Sequence, residues 1–398
     1  DSANLSFSPS ITNGTTSAHS HWTFSAWVKR TKFGVANQPI FGAMNGSSRE
    51  GFIAFNSDDT LRFSETGPSS SSYHVDLHTT QPFRDPTAWY HIVCVYAYNQ
   101  YSYDKARIYV NGIEVTQYTT KTISGGLYDS SYINTNGANH YIGKYLDYSS
   151  NATYGDMYLA DAYFVPGYTV PVSTDDANGS VTGIPNAKYL DEFGEFDADT
   201  GVWIPKKYEG TYPRDGGWHL DFLNTSALGN DENGSNNWTV HSLSTAAGVG
   251  NDSLFDSPTN GTQSDTGAGG EVTGNYCVMS QYDNRGCTIK NGGLEIQTGS
   301  SKCGRGTVWA DTGKWYFEFD MTQYGNPYVG IAANSFLQHY TPQNAIMANN
   351  NGVIYDQEEG SHSTGGYTVR HNATGSYMCA FDLDNGKIWW GKDGTWYE

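Results

Sequence analysis

Basic residues are scarce in this sequence: 22 Lys and Arg stand against 41 Asp and Glu, a formal net charge of −19. Nucleic acids are held by stripes of positive charge, and a pair such as Lys206-Lys207 is too small to form one, so a nucleic-acid partner is excluded. The acidity instead favours solubility and resists self-association. Long apolar runs are also missing. The longest clear one, Ile92-Val93-Cys94-Val95, is far short of the roughly 20 residues a membrane-spanning helix needs. Five cysteines in 398 residues do not make a disulfide framework. Cys94 and Cys379 sit within strand patterns as small core hydrophobes, Cys277 and Cys287 are a candidate hairpin pair, and the lack of a CxxC argues against a zinc ribbon. No stretch sustains a 3.6-residue apolar period, because Gly, Asn or Pro interrupts most windows of ten, so long helices are excluded. The nucleophile-elbow, zincin and P-loop motifs are absent as well.

What is present is the material of short strands and tight turns. Gly (46) and Tyr (30) are abundant, and charged residues make up only 16%. Gly and Asn supply the positive-φ positions that hairpins require. Trp22 to Lys29 alternates, placing Phe24, Ala26 and Val28 on one face. Trp89 to Tyr96 is apolar on both faces, as a central sandwich strand is. Arg107-Ile108-Tyr109-Val110-Asn111-Gly112-Ile113-Glu114-Val115 places Asn-Gly between two β-branched runs, the preferred pair for a type I′ hairpin. Met157 to Val165 gives a further strand before Pro166-Gly167. Residues 168–270 are punctuated by Pro, Gly, Asp and Asn, with short strand signals at Val202-Trp203-Ile204 and Trp218 to Phe222. They predict an irregular connecting region that packs on its neighbours. Strand patterning returns from 271. Its clearest block is Cys379 to Trp390, a strand, an Asn385-Gly386 turn and an aromatic return strand, with Asp393-Gly394 offering a second turn.

The order WTFSAWVK, AWYHIVCVY, ARIYVNGIEV, HYIGKY and YGDMYLADAYFVPG resembles the laminin-G-like, concanavalin-A-like lectin/glucanase family over residues 1–167. Residues 271–398, with NGGLEIQ, GKWYFEFDM, YVGIA, NGVIYD and YMCAFDLDNGKIWWGKDGTWYE, resemble a SPRY domain. The expected fold is therefore all-β: two antiparallel, jelly-roll-like β-sandwich domains, 1–167 and 271–398, joined by 168–270. The SPRY-like half stops at Glu398, before that family's closing strand, and the chain opens at Asp1. Both features lead us to expect a fragment of a longer polypeptide. The two halves, taken with the Trp203-Ile204-Pro205-Lys206-Lys207-Tyr208 segment, GNDENGSNNWT and DSPTNG, resemble structural proteins of tailed phages. That resemblance implies an external appendage, fibre or decoration at the virion surface, homo-oligomeric, with other virion proteins or host-surface glycans as partners. A secreted cellular adhesin with the same modules is the alternative reading, and a glycan hydrolase a remote one.

Chemistry can be assigned to few residues. Glucanases of this fold carry E-x-D-x-x-E on one strand, setting two carboxylates on one face. Glu195-Phe196-Asp197-Ala198-Asp199-Thr200 lacks the second Glu, so no catalytic residue is assigned and the chain is expected not to be an enzyme. His74, Asp76 and His78 share a strand face, a pattern that either ligates a transition metal or faces solvent. No cofactor is required. Calcium is the ion the resemblance implies, with loop residues Asp129, Asp147 and Asp156 as candidate ligands, although turn formation explains each equally well. Tyrosines crowd the loops of the first domain. Tyr98, Tyr101, Tyr103, Tyr145, Tyr148 and Tyr154 are the candidate ligand contacts, since tyrosine offers rigid amphipathic area at low entropic cost.

Overall fold

The computed structural model describes residues 2–11, 21–35, 37–45, 49–67, 71–97, 105–124, 131–147, 149–167, 191–212, 215–246, 250–258, 274–299, 302–323, 327–333, 345–348, 353–356, 360–363 and 373–397. The described residues hold no α-helix, and the strands of the four large sheets described below pair antiparallel. The chain divides into two compact units, 1–281 with 289–295, and 282–288 with 296–398.

The first unit is a sandwich of two sheets. One has six strands in the order Trp218–Leu220, Met157–Pro166, Trp22–Arg30, Trp89–Tyr96, Ala106–Val110 and Ile113–Glu114. The other has eight: Tyr118–Ile123, Val75–Pro82, Thr60–Glu65, Glu50–Phe55, Gln38–Met44, His140–Ile142, Asn4–Phe7 and Thr239–His241. Two edge strands, Trp218–Leu220 and Thr239–His241, come from the segment after residue 168. Asn111 and Gly112 both take positive φ (50° and 76°), so the Asn-Gly hairpin forms as its sequence predicts.

Register explains the core. Leu5, Ile142, Phe41, Ile53, Phe63 and Leu77 lie opposite one another across six strands, and all six are buried. From the facing sheet, Trp22, Phe24, Ala26, Val28, Ile92, Cys94 and Tyr96 close the same core. Phe24 stacks on Phe41 across the layers at 4.7 Å. Trp218 and Trp238, 5.0 Å apart, fill the end of this core beside Phe41.

One carboxylate is buried between the layers. Glu65 lies against Gly51, where a Cβ would sit 2.4 Å from the Glu65 carboxylate. It accepts from the Ser131 hydroxyl and from the Tyr132 and Ile133 amides, and Ser131 accepts from Trp22 Nε1 at 2.9 Å. A side chain of the sheet thereby pins the 131–133 turn to the central tryptophan. Burial pushes the Glu65 carboxyl up to about 8 despite these donors.

The second unit contains two four-stranded sheets. One is Lys314–Met321, Gly375–Asp382, Lys387–Lys392 and Thr395–Trp396; the other is Val329–Ala332, Ala345–Ala348, Val353–Asp356 and Gly360–Ser363. Ala348, Cys379 and Trp390 form its buried centre, flanked by Phe317, Phe319, Phe381, Ile388 and Tyr397. Asp393-Gly394 makes a tight two-residue turn with both φ positive (47° and 81°). Asn385-Gly386 instead closes a four-residue turn that the Asp382 carboxylate holds through the Asn385 amide and side chain. All five cysteines are free thiols, so the Cys277–Cys287 candidate pair is not bonded.

Candidate ligand face

The period of two that buries Leu5 to Leu77 turns the alternate residues outward. On the outer face of the eight-stranded sheet, Thr239, Ser6, Tyr141, Gly42, Phe52, Ser64, Asp76 and Thr122 form one continuous row. Ala54, Arg62 and His78 lie in the next. The Lys144–Leu146 and Ala152–Tyr154 hairpin lies against the Gln38–Met44 strand of this sheet and divides the face.

On one side of the hairpin, Asp76 organises a polar cluster. Its Oδ1 accepts from Arg62 Nε at 2.8 Å and from the Ser64 hydroxyl at 2.5 Å, and lies 3.0 Å from His78 Nε2. Its Oδ2 has no protein partner among the described residues. Burial alone raises the Asp76 pKa, but the Arg62 guanidinium and the Ser64 hydroxyl outweigh it and hold the carboxyl below its ordinary value. The Arg62 guanidinium sits 5.0 Å from both the Phe52 and Tyr73 ring centroids, which fixes it in a cation–π slot. Arg62, Asp76 and His78 remain 19%, 17% and 24% exposed, so the cluster is recessed but open to solvent.

The hairpin itself is anchored by tyrosine. Tyr145 is buried against Met44, Phe52 and Ala54, and its hydroxyl donates to Glu50 Oε2 at 3.0 Å. Tyr73 donates to the other oxygen of Glu50. Tyr145 therefore belongs to the floor, not to an exposed contact loop, because the hairpin folds back over the sheet and turns this ring inward. Tyr154 is half-buried and lines an open cleft on the far side of the hairpin. Tyr98, Tyr101, Tyr103, Tyr148 and Asp129 lie outside the described residues.

The remaining expected ligands have local roles. Asp147 accepts from the Ser149 and Asn151 amides and the Asn151 side chain, closing the hairpin turn. Asp156 pairs with Lys32 at 2.8 Å. Among the described residues, no three His, Cys, Asp or Glu side chains converge as a metal group. The His74–Asp76–His78 pattern is split, since His74 precedes the Val75–Pro82 strand and shares a 2.8 Å hydrogen bond with the buried Tyr96 hydroxyl. Glu195 lies on the Gly194–Phe196 strand. Asp197 caps its own turn through Thr200 and the Asp199 amide. Arg62 and Phe52 were not anticipated; their signal, alternation within GFIAF and TLRFSE, becomes legible only once the sheet register is known.

Residues 7–157 match the sequence model of the concanavalin A-like lectin/glucanases superfamily, in agreement with the sandwich described above. No curated protein sequence matches the chain. Among solved structures, the heptameric SAP-like pentraxin from Limulus polyphemus is similar at 15% identity and a TM-score of 0.28, covering 55% of this chain and 88% of that one. The CBM40 of the Ruminococcus gnavus IT-sialidase, bound to α2,3 sialyllactose, is similar at 12% identity and 0.27, covering 38% and 79%. Trypanosoma rangeli sialidase is similar at 15% and 0.25, covering 37% of this chain and 20% of the enzyme.

Proposed function

We propose that the first unit is a glycan-binding module without catalytic activity, and that its ligand face is the outer surface of the eight-stranded sheet. The observation that carries this reading is the state of Asp76. Three protein groups meet at Oδ1, while Oδ2 has none among the described residues. A carboxylate oriented on one oxygen and open on the other suits a sugar hydroxyl, and Arg62 beside it supplies further donors. A few convergent polar groups beside aromatic walls are the ordinary make-up of a small-ligand site. The lectin/glucanase family match over 7–157 supports the same reading. The turn-capping of Asp197 and the missing second Glu support the non-catalytic part of this reading.

In its wider setting the chain is a phage virion structural protein, an external appendage or fibre at the particle surface, with a SPRY-like second unit. This rests on the sequence resemblance. Multiple copies on one particle would multiply weak glycan contacts by avidity of ~10²–10⁴.

Asp76→Asn is the direct test. It keeps an acceptor for Arg62 and Ser64 but replaces the open acceptor with a donor. Glycan-array binding by wild type that falls at least about tenfold in this variant, at an unchanged melting midpoint, is the expected result. Undiminished binding moves the site elsewhere.

A further inference from the structure

Across the hairpin from Asp76 lies an open cleft of about 220 Å³, lined by Ser2, Asn4, Lys144, Tyr154, His241 and Ser242. It sits at the opposite end of the same sheet face. Asn4 is five strands from Asp76 in the sheet order, roughly 24 Å at the usual strand spacing. We infer that this cleft is a subsite for one anionic sugar ring, carrying a carboxylate or a sulfate. The inference rests on the glycan-binding reading of this face.

Two unmet needs define the ligand. Asn4 is only 7% exposed; its Nδ2 donates to the Ser2 carbonyl at 2.8 Å, while its Oδ1 is buried with no hydrogen-bond partner among the described residues. A buried acceptor left without a donor is costly, and such groups in native proteins call for an explanation. Lys144 has the opposite need. Its ammonium lies 4.7 Å from the Tyr141 ring centroid and pairs with no carboxylate among the described residues, in a chain of net charge −19. His241 adds a second nitrogenous group, held through Nε2 to the Ser6 hydroxyl at 2.7 Å. The Ser2 and Ser242 hydroxyls, 3.1 Å apart, complete the polar rim, and Tyr154 adds a ring.

A ligand that meets both needs must present an anionic oxygen to Lys144 and a hydroxyl donor to Asn4. Inorganic sulfate has no hydroxyl to give, and a neutral sugar leaves Lys144 without a counter-charge. An acidic sugar has both. The volume falls below the roughly 300–1,000 Å³ of sites for drug-sized ligands, which limits the occupant to about one ring. The cleft would then select charge at one end of a glycan whose neutral portion contacts Asp76.

The test is titration of the whole chain, followed by NMR, with glucuronic acid, glucose 6-sulfate, glucose and sodium sulfate. At least one acidic sugar should bind about tenfold or more tightly than glucose. The stronger of the two identifies the anionic group. Lys144→Ala should abolish that preference, Lys144→Arg should retain it, and Asp76→Asn should leave it unchanged. Equal binding of acidic and neutral sugars, a preference that survives Lys144→Ala, or sodium sulfate binding as tightly as the acidic sugars would overturn the inference. If neutral glycans bind through Asp76 while acidic ones gain nothing, this subsite fails and the glycan reading stands. If no glycan binds at all, both fail.

Discussion

On the six-stranded sheet the outward positions Ser25, Trp27, Lys29 and His91 lie under chain that brings in Trp203, Asp256, Asn275 and Tyr276; on the eight-stranded sheet the outward Arg62, Asp76 and His78 stay open to solvent. On the covered face Lys29, Trp89, His91 and Trp203 find partners within the protein. Lys29, with no side-chain exposure, donates to Asp256 at 2.7 Å, to Asn275 at 2.8 Å and to the Tyr276 carbonyl at 2.6 Å. Trp89 Nε1 donates to the other Asp256 oxygen. Trp203 Nε1 donates to His91 Nδ1 at 3.0 Å, so the His91 Nε2–H donates to Ser25 at 2.8 Å. Burial drives His91 down to about 3, which keeps this imidazole neutral. The open face instead leaves Asp76 Oδ2 and Asn4 Oδ1 without partners among the described residues. A charge paired inside the protein holds the fold, and a polar group that faces an open surface is placed where a ligand can reach it.

The largest effect should come from breaking the sealed face. Asp256→Ala leaves Lys29 buried without its counter-charge and is expected to cost about 3–5 kcal/mol in urea denaturation. Arg62→Ala, on the open face, should cost much less, because water reaches what is left. Equal losses would erase the distinction between the two faces.

Next comes the carboxylate between the layers. Folding raises the Glu65 pKa from 4.5 to about 8, so the folded chain holds a proton that the unfolded chain releases. Its contribution is complete below about pH 4.5 and is lost as pH rises towards 8. Glu65→Gln should flatten the dependence of the melting midpoint on pH across that window. A slope that persists in the variant would assign the titration to another group.

Trp203→Phe keeps a ring against Gly112 but leaves His91 Nδ1 without a donor. A loss of about 1–3 kcal/mol is expected, with no change in glycan binding. The smallest effect expected is from chelation. Asp147 is engaged in its own turn and Asp156 with Lys32, so EDTA should leave the melting midpoint unmoved. A downward shift would restore calcium to the account.

The sequence by itself determined the elements. Period-two patterning in Trp22 to Lys29 placed Phe24, Ala26 and Val28 in the core, the doubly apolar run Trp89 to Tyr96 marked a buried strand with Cys94 in it, and Asn111-Gly112 determined its own turn, because strand patterning and turn chemistry are local properties of the backbone. Only the tertiary structure decided what lies opposite each outward side chain. Lys29 alternates out of the Phe24, Ala26 and Val28 face, and Asp256, Asn275 and Tyr276, more than 220 positions away, enclose it. Tyr145 reads as a loop contact, yet the hairpin folds its ring onto Phe52 and Glu50. Asp76, Arg62 and Ser64 become a site because sheet register brings two strands together, and Asn4, Lys144 and His241 line one cleft because edge pairing joins the chain's start to residue 241. Burial and polar satisfaction depend on such distant pairings, which a local pattern does not encode.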